Sequence, residues 1–142
     1  EGEMYQLTIE QSFDAAHFLA EYRGKCGNIH GHRWRVLLEI ETEALQENDQ
    51  ERGMCVDFSV LKEELKKIVD RLDHNFLIER GTLKDKTLEA LEEEGFCLVE
   101  LPFRPTAENF AKYFYDLLAE RGYPVSMVKV YETPNNCAAY RV

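Results

Sequence analysis

Basic residues are the scarce class in this 142-residue chain: 17 Lys and Arg stand against 27 Asp and Glu, for a formal net charge of −10. A nucleic-acid partner needs a basic face to meet its phosphates, so none is expected. Long apolar runs are missing too. None approaches the length that spans a bilayer, and no membrane partner is expected. No signal-peptide pattern precedes Met4, behind Glu1-Gly2-Glu3, and the expected location is the cytoplasm. Cys26, Cys55, Cys97 and Cys137 form no CxxC pair, which points to free thiols rather than a disulfide framework. No internal repeat or linker divides residues 1–142. With 44% hydrophobic content they are expected to form one domain with a real core.

Histidine is equally sparse, yet all four copies sit where chemistry would want them. His17 ends Ser12-Phe13-Asp14-Ala15-Ala16-His17, and His74 follows Asp73. His30 and His32 bracket Gly31 and open a run with period-two alternation. His30, His32, Trp34, Val36, Leu38 and Ile40 share one parity. In a strand the two imidazoles then face the same side, roughly 6–7 Å apart at the backbone, close enough to converge on one metal ion. His17 shares parity with Phe13 and Ala15, on the apolar face of its own strand. Three neutral imidazoles make up the nitrogen set of catalytic zinc, with a fourth position open. A closed site with Cys26 as fourth ligand is the other reading, since Cys26 lies just ahead of His30.

Met4 to His17 reads as a first strand and His30 to about Thr42 as a second, forming an antiparallel pair. Asp57 or Ser59 caps a helix whose apolar positions Leu61, Leu65, Ile68 and Leu72 follow helical spacing. Residues 78–101 are the least legible, with a short acidic helix ending at Gly95. Thr106 caps a second long helix carrying Phe110, Phe114, Leu117 and Leu118, closed by Gly122. Val125 to Glu132 and Ala138 to Val142 are the last strands. The order ββα…αββ predicts an α+β fold, a four-stranded antiparallel sheet with two helices on one face.

Cys26 lies on a glycine-flanked loop near Lys25 and Arg23, cations that favour a thiolate. Thiolate, imidazole and carboxylate beside a Lewis acid suit proton transfer at a carbon next to a polarised hydroxyl, which makes Cys26, Asp73 and His74 candidate catalytic groups. His74 could instead satisfy the dipole at a helix end, as Glu108 could at a helix start. Glu132 shares parity with Val128 and Val130, so its carboxylate faces the apolar side and either pairs with a cation or awaits a ligand donor.

Together these residues resemble the 6-pyruvoyltetrahydropterin synthase / 6-carboxytetrahydropterin synthase family. The likeness rests on Phe13-Asp14-Ala15-Ala16-His17, Cys26-x-x-x-His30-Gly31-His32, Val56-Asp57-Phe58, Leu72-Asp73-His74, Pro105-Thr106-Ala107-Glu108-Asn109 and Glu132-Thr133, in family order. It implies the tunnelling fold, whose ββααββ subunits join their sheets into an oligomeric β-barrel with active sites between subunits. A homo-oligomer follows, hexameric first and tetrameric second. It further implies zinc on His17, His30 and His32, Cys26 as base, and Asp73 and His74 as its relay. Glu132 would anchor a pterin ring, with Thr106 and Glu108 lining the pocket.

The three residues between Cys26 and His30 resemble the bacterial 6-carboxy-5,6,7,8-tetrahydropterin synthases of queuosine and deazapurine biosynthesis. Those lyases release acetaldehyde and triphosphate from 7,8-dihydroneopterin triphosphate. A pyruvoyl-forming synthase on the same fold and a non-catalytic zinc-stabilised ligand-binding module are the alternatives. Ile78 departs from the Asn usual at its place, and residues 79–103 exceed the short connector expected in the carboxy-forming subgroup.

Overall fold

Unbroken alternation in two adjacent segments builds the frame. In the computed structural model, which describes residues 2–142, β1 (Tyr5–His17) and β2 (His30–Thr42) pair antiparallel from Tyr5↔Thr42 to His17↔His30 without a register shift. Phe13, Ala15 and His17 of β1 and Trp34, Val36, Leu38 and Ile40 of β2 all turn to the buried side. Two helices cover that side: α1 (Phe58–Asp70) packs over β1, and another, Ala107–Glu120, packs over the C-terminal strands. Asp57 is the cap of α1, its carboxylate accepting from the Ser59 amide at 2.8 Å.

The sheet has six strands, not the four expected, and the short acidic helix expected ahead of Gly95 is present as a third α-helix beside the two that cover the core. After α1 come β3 (Asn75–Glu79), α2 (Asp85–Glu93) and β4 (Leu98–Leu101). The chain then continues through α3 (Ala107–Glu120), β5 (Val125–Thr133) and β6 (Asn136–Tyr140). The order across the sheet is β4-β3-β1-β2-β5-β6, with β3 parallel to β1 and to β4. So the sheet is mixed rather than purely antiparallel.

The reason lies in burial on both faces, which erases alternation from Phe76-Leu77-Ile78. Leu77 belongs to the main core, whereas Ile78, 1% exposed, is buried outside it. Leu91 of α2 shares a cavity with Phe76, Asp14 and Ala16, whose side chains alternate away from α1 and α3. This places α2 over the opposite face. Ile78 is thus an apolar residue buried beneath an added layer, and the long connector after it carries α2 and β4, completing with β3 a strand-helix-strand crossover.

Aromatic rings fill the core between sheet and helices. Phe13 stacks on Trp34 at 5.8 Å between centroids, and Phe110 meets both edge-on. Each such side chain contributes roughly 1.5–3 kcal/mol by leaving water. The cluster ends at His17, whose ring meets Trp34 edge-on at 5.0 Å. Among the described residues no helix is long and apolar enough to cross a membrane.

Candidate active site

The ladder brings three imidazoles to one corner. His17 and His30 are direct partners, and His32 sits opposite Ala15, so all three rings lie at the end of the aromatic core. Their ligand atoms all fall within 4.8 Å of one another.

Backbone carbonyls fix two of the tautomers. The Pro105 carbonyl is 2.8 Å from His17 Nδ1 and the Asn28 carbonyl 2.7 Å from His30 Nδ1. A carbonyl only accepts, so both Nδ1 atoms carry the proton and both Nε2 atoms offer lone pairs. Those Nε2 atoms then face each other at 3.1 Å. Two acceptors at that distance repel unless a cation lies between them. His32 Nε2 is buried with no hydrogen-bond partner. An orphaned buried nitrogen beside two opposed lone pairs fits a metal, and the backbone carbonyls supply the usual outer support for ligating histidines. Burial also keeps the rings neutral: it pushes His17 down to about 4, and His32 downward despite the nearby Glu132 carboxylate.

Glu132 reaches the same corner. Its carboxylate oxygens lie 3.7 Å from His17 Nε2 and 3.9 Å from His32 Nε2. The β5–β6 pairing jumps from Tyr131↔Cys137 to Thr133↔Asn136, an irregularity at Glu132 of the sort that re-aims side chains. Thr106 accepts from the Asn109 amide at 3.2 Å as the cap of α3, and Glu108 is exposed in the first turn. Pro105, immediately before them, holds His17, so the start of α3 abuts the imidazole corner.

Cys26 lies in a short 3-10 turn, Lys25–Gly27, and is part-buried. It is not among the clustered ligand atoms, so the geometry gives no closed four-ligand set. Its loop is nevertheless tied to the corner: Leu19 N–H donates to the Cys26 carbonyl at 3.0 Å, and Asn28 holds His30.

Asp73 and His74 are not brought to that corner. Asp73 accepts from the Asp14 amide at 2.8 Å and pairs with His74 Nδ1 at 2.9 Å. His74, with a left-handed φ of 61°, is anchored through its own amide to the Asp14 carbonyl. His74 opens into a cavity of about 500 Å³ walled by Asp14, Ala16, Ile29, Phe76 and Phe96. That is the face turned away from the imidazoles. The Asp14 amide holds the Asp73 carboxyl below its usual range, with His74 adding to the effect, and Asp73 holds His74 above its own. The carbonyls of Pro105 and Asn28 and the anchoring role of Asp14 carry no sequence signal, because backbone groups have no residue code.

A family model, 6-pyruvoyl tetrahydropterin synthase, matches residues 6–142. The chain belongs to this family. A 6-carboxy-5,6,7,8-tetrahydropterin synthase of Haemophilus influenzae is 31% identical over 141 residues, covering 97% of this chain and 99% of that protein. One from Synechocystis is 33% identical over 139 residues, covering 96% and 93%. Among solved structures, an uncharacterized protein from Wolinella succinogenes shares the fold with a TM-score of 0.79 at 24% identity, over 99% of both chains. The 6-pyruvoyl tetrahydropterin synthase of Caenorhabditis elegans gives 0.68 at 25% identity, over 99% and 97%. In this member of the 6-pyruvoyl tetrahydropterin synthase family, then, the imidazole corner, Glu132 and the Cys26 loop form one cluster, and Asp73–His74 a second.

Proposed function

We propose that this chain is a zinc-dependent 6-carboxy-5,6,7,8-tetrahydropterin synthase acting in the cytoplasm, in queuosine and 7-deazapurine biosynthesis. It would convert 7,8-dihydroneopterin triphosphate and water to 6-carboxy-5,6,7,8-tetrahydropterin, acetaldehyde and triphosphate. The observation that carries this reading is the imidazole corner, with two opposed Nε2 lone pairs and a third nitrogen left without a partner. The choice of the carboxy-forming reaction follows the near full-length relatives of that name.

His17, His30 and His32 would hold the zinc, which when bound makes the substrate's side-chain hydroxyls more acidic. Cys26 moves a proton at the side-chain carbon. Asp73 keeps His74 protonated and oriented, so that the imidazolium can give a proton where Cys26 takes one. Glu132 accepts N–H bonds from the 2-amino-pyrimidinone edge, with Thr106 and Glu108 lining the pocket. The two clusters lie on opposite faces of one chain, which supports a homo-oligomer, hexameric or tetrameric, in which Asp73–His74 of one copy completes the corner of the next.

Acetaldehyde released in step with triphosphate from 7,8-dihydroneopterin triphosphate is the expected result. Triphosphate without acetaldehyde would instead give a pyruvoyl-forming synthase. Neither product, with stoichiometric metal retained, would leave a binding module.

A further inference from the structure

Arg104 stands at the junction of the two backbone ties that shape the corner. Its guanidinium Nη2 donates to the Ala20 carbonyl at 2.7 Å, across 84 residues of sequence, and the same group lies 6.0 Å over the Tyr22 ring. Its own carbonyl accepts from the Thr106 amide at 2.8 Å and from Asn109 Nδ2 at 2.9 Å, fixing it to the start of α3. The next residue, Pro105, holds His17.

From Ala20 the chain runs through a tightly folded loop to Cys26. Tyr22 N–H donates to the Leu19 carbonyl and Leu19 N–H to the Cys26 carbonyl. Glu21 is left-handed at φ 63°, and a Cβ on Gly27 would meet the Tyr22 carbonyl at 2.8 Å. Past Cys26, Asn28 holds His30. The contacts close a ring: His17 to Pro105, Arg104 to Ala20, Leu19 to Cys26, and Asn28 to His30. Among the described residues, Arg104 supplies the one side-chain hydrogen bond between the start of α3 and the thiol-bearing loop. Its hydrogen bond is charge-assisted, the stronger kind.

We propose that Arg104 is a positioning residue, which sets the height of the Cys26 thiol relative to the three imidazoles. It acts through the Ala20 carbonyl and touches no reacting atom. This rests on the proposed role of Cys26 in proton transfer. Without the tie, the 18–28 loop keeps its internal bonds, Leu19 to Cys26 among them, but loses its hold on the start of α3, and the thiol shifts with the loop while His17 and His30 keep their own carbonyls.

The test uses Arg104→Met, which keeps the aliphatic stem and removes only the donors. Metal content should stay stoichiometric and KM should change little, while kcat falls about 10- to 100-fold, the cost of a misplaced catalytic group. Amide hydrogen exchange at Leu19, Tyr22 and Gly27 should speed up. Iodoacetamide labelling of Cys26, followed by peptide mass spectrometry, should change in rate and pH profile while part-buried Cys55 stays at its wild-type rate. Loss of metal, a rise in KM with kcat unchanged (as for a triphosphate contact), parallel changes at Cys55, or unaltered Cys26 labelling would each overturn the assignment. An active Cys26→Ala variant would sink the proposed role of Cys26 but leave the exchange and labelling results standing, so the two failures are distinguishable.

Discussion

Two histidine sites in this chain have been given opposite characters by their surroundings. At the imidazole corner, His17 is buried and His32 half-buried against Trp34, the Nδ1 protons of His17 and His30 are spent on backbone carbonyls, and His17 stays neutral down to about 4. Just past the end of α1, His74 is exposed and paired with the Asp73 carboxylate, which raises its pKa above the ordinary value. Burial that outweighs a nearby carboxylate favours the neutral ring a metal needs; exposure in direct contact with a carboxylate favours the protonated one. On the proposed reading, the same side chain would supply both halves of a metal-assisted proton transfer.

The contrast is broken most severely at the corner. His17→Ala, His30→Ala or His32→Ala should each strip the metal and take turnover below detection, because a three-ligand site has no spare donor. Metal analysis by plasma mass spectrometry checks this, and stoichiometric zinc in all three variants would refute it. At the other site, Asp73→Asn should leave metal in place yet lower kcat by about 10²-fold or more, as the loss of a proton-transfer group does. If the sites join between copies, co-assembled His17→Ala and Asp73→Asn subunits should regain about a quarter of wild-type activity from statistically mixed pairs. Mixed oligomers as dead as their parents would count against a shared site.

Glu132 lies beside two of the imidazoles and, on the proposed reading, would also meet the substrate. Glu132→Gln swaps an acceptor for a donor, and substrate affinity should weaken roughly ten- to hundred-fold, the scale of a lost charge-assisted fork. Equilibrium binding and metal analysis of one preparation would decide its allegiance: affinity lost with metal retained is the expected pair. A silent variant would remove Glu132 from the site.

The smallest effect is a difference of sign. In metal-free protein His17 has a folded pKa of about 4, below its ordinary 6.5. As pH falls below that ordinary value, the unfolded chain takes a proton the folded one refuses, so stability should decline until about pH 4 and then level. His74 is raised instead, so its contribution is complete below its unfolded pKa and fades as pH climbs through its folded one. Urea titrations across pH should show His17→Gln flattening the acid decline and His74→Gln removing a shallow loss on the alkaline side. Slopes of one sign would undo the contrast.

Most of the corner was legible before any coordinates, and the physical reason is periodicity. His17, His30 and His32 carry the parity of their strands, and the β1–β2 ladder preserves that parity to its last pair. Glu132 follows Val128 and Val130 in the same way. Thr106 is legible as a cap, and Asp57 as one of two choices with Ser59, because capping chemistry is local. What escaped was the non-local part. β3 and β4 are short and parallel, and β3 is buried on both sides, so Phe76-Leu77-Ile78 shows no alternation. A run of three apolar residues, an amphipathic helix and then Leu98-Val99 was the available βαβ signal. The exposed position of Asp73–His74 on the far side of β1 depends on that missed strand.

The zero offset between β1 and β2 has one more consequence, for how such a chain can change length. Because His17 meets His30 across a ladder of 13-residue strands with no bulge, inserting one residue in either strand would turn its imidazoles to the opposite face. The loop joining the strands is under no such rule, since its ends are adjacent whatever lies between. Deletions and additions are therefore confined to the hairpin tip, which is where the thiol resides. The imidazole-facing wall is locked to whole steps of two, while the distance of Cys26 along the chain is free to be reset without changing the strand parity of His17, His30 or His32.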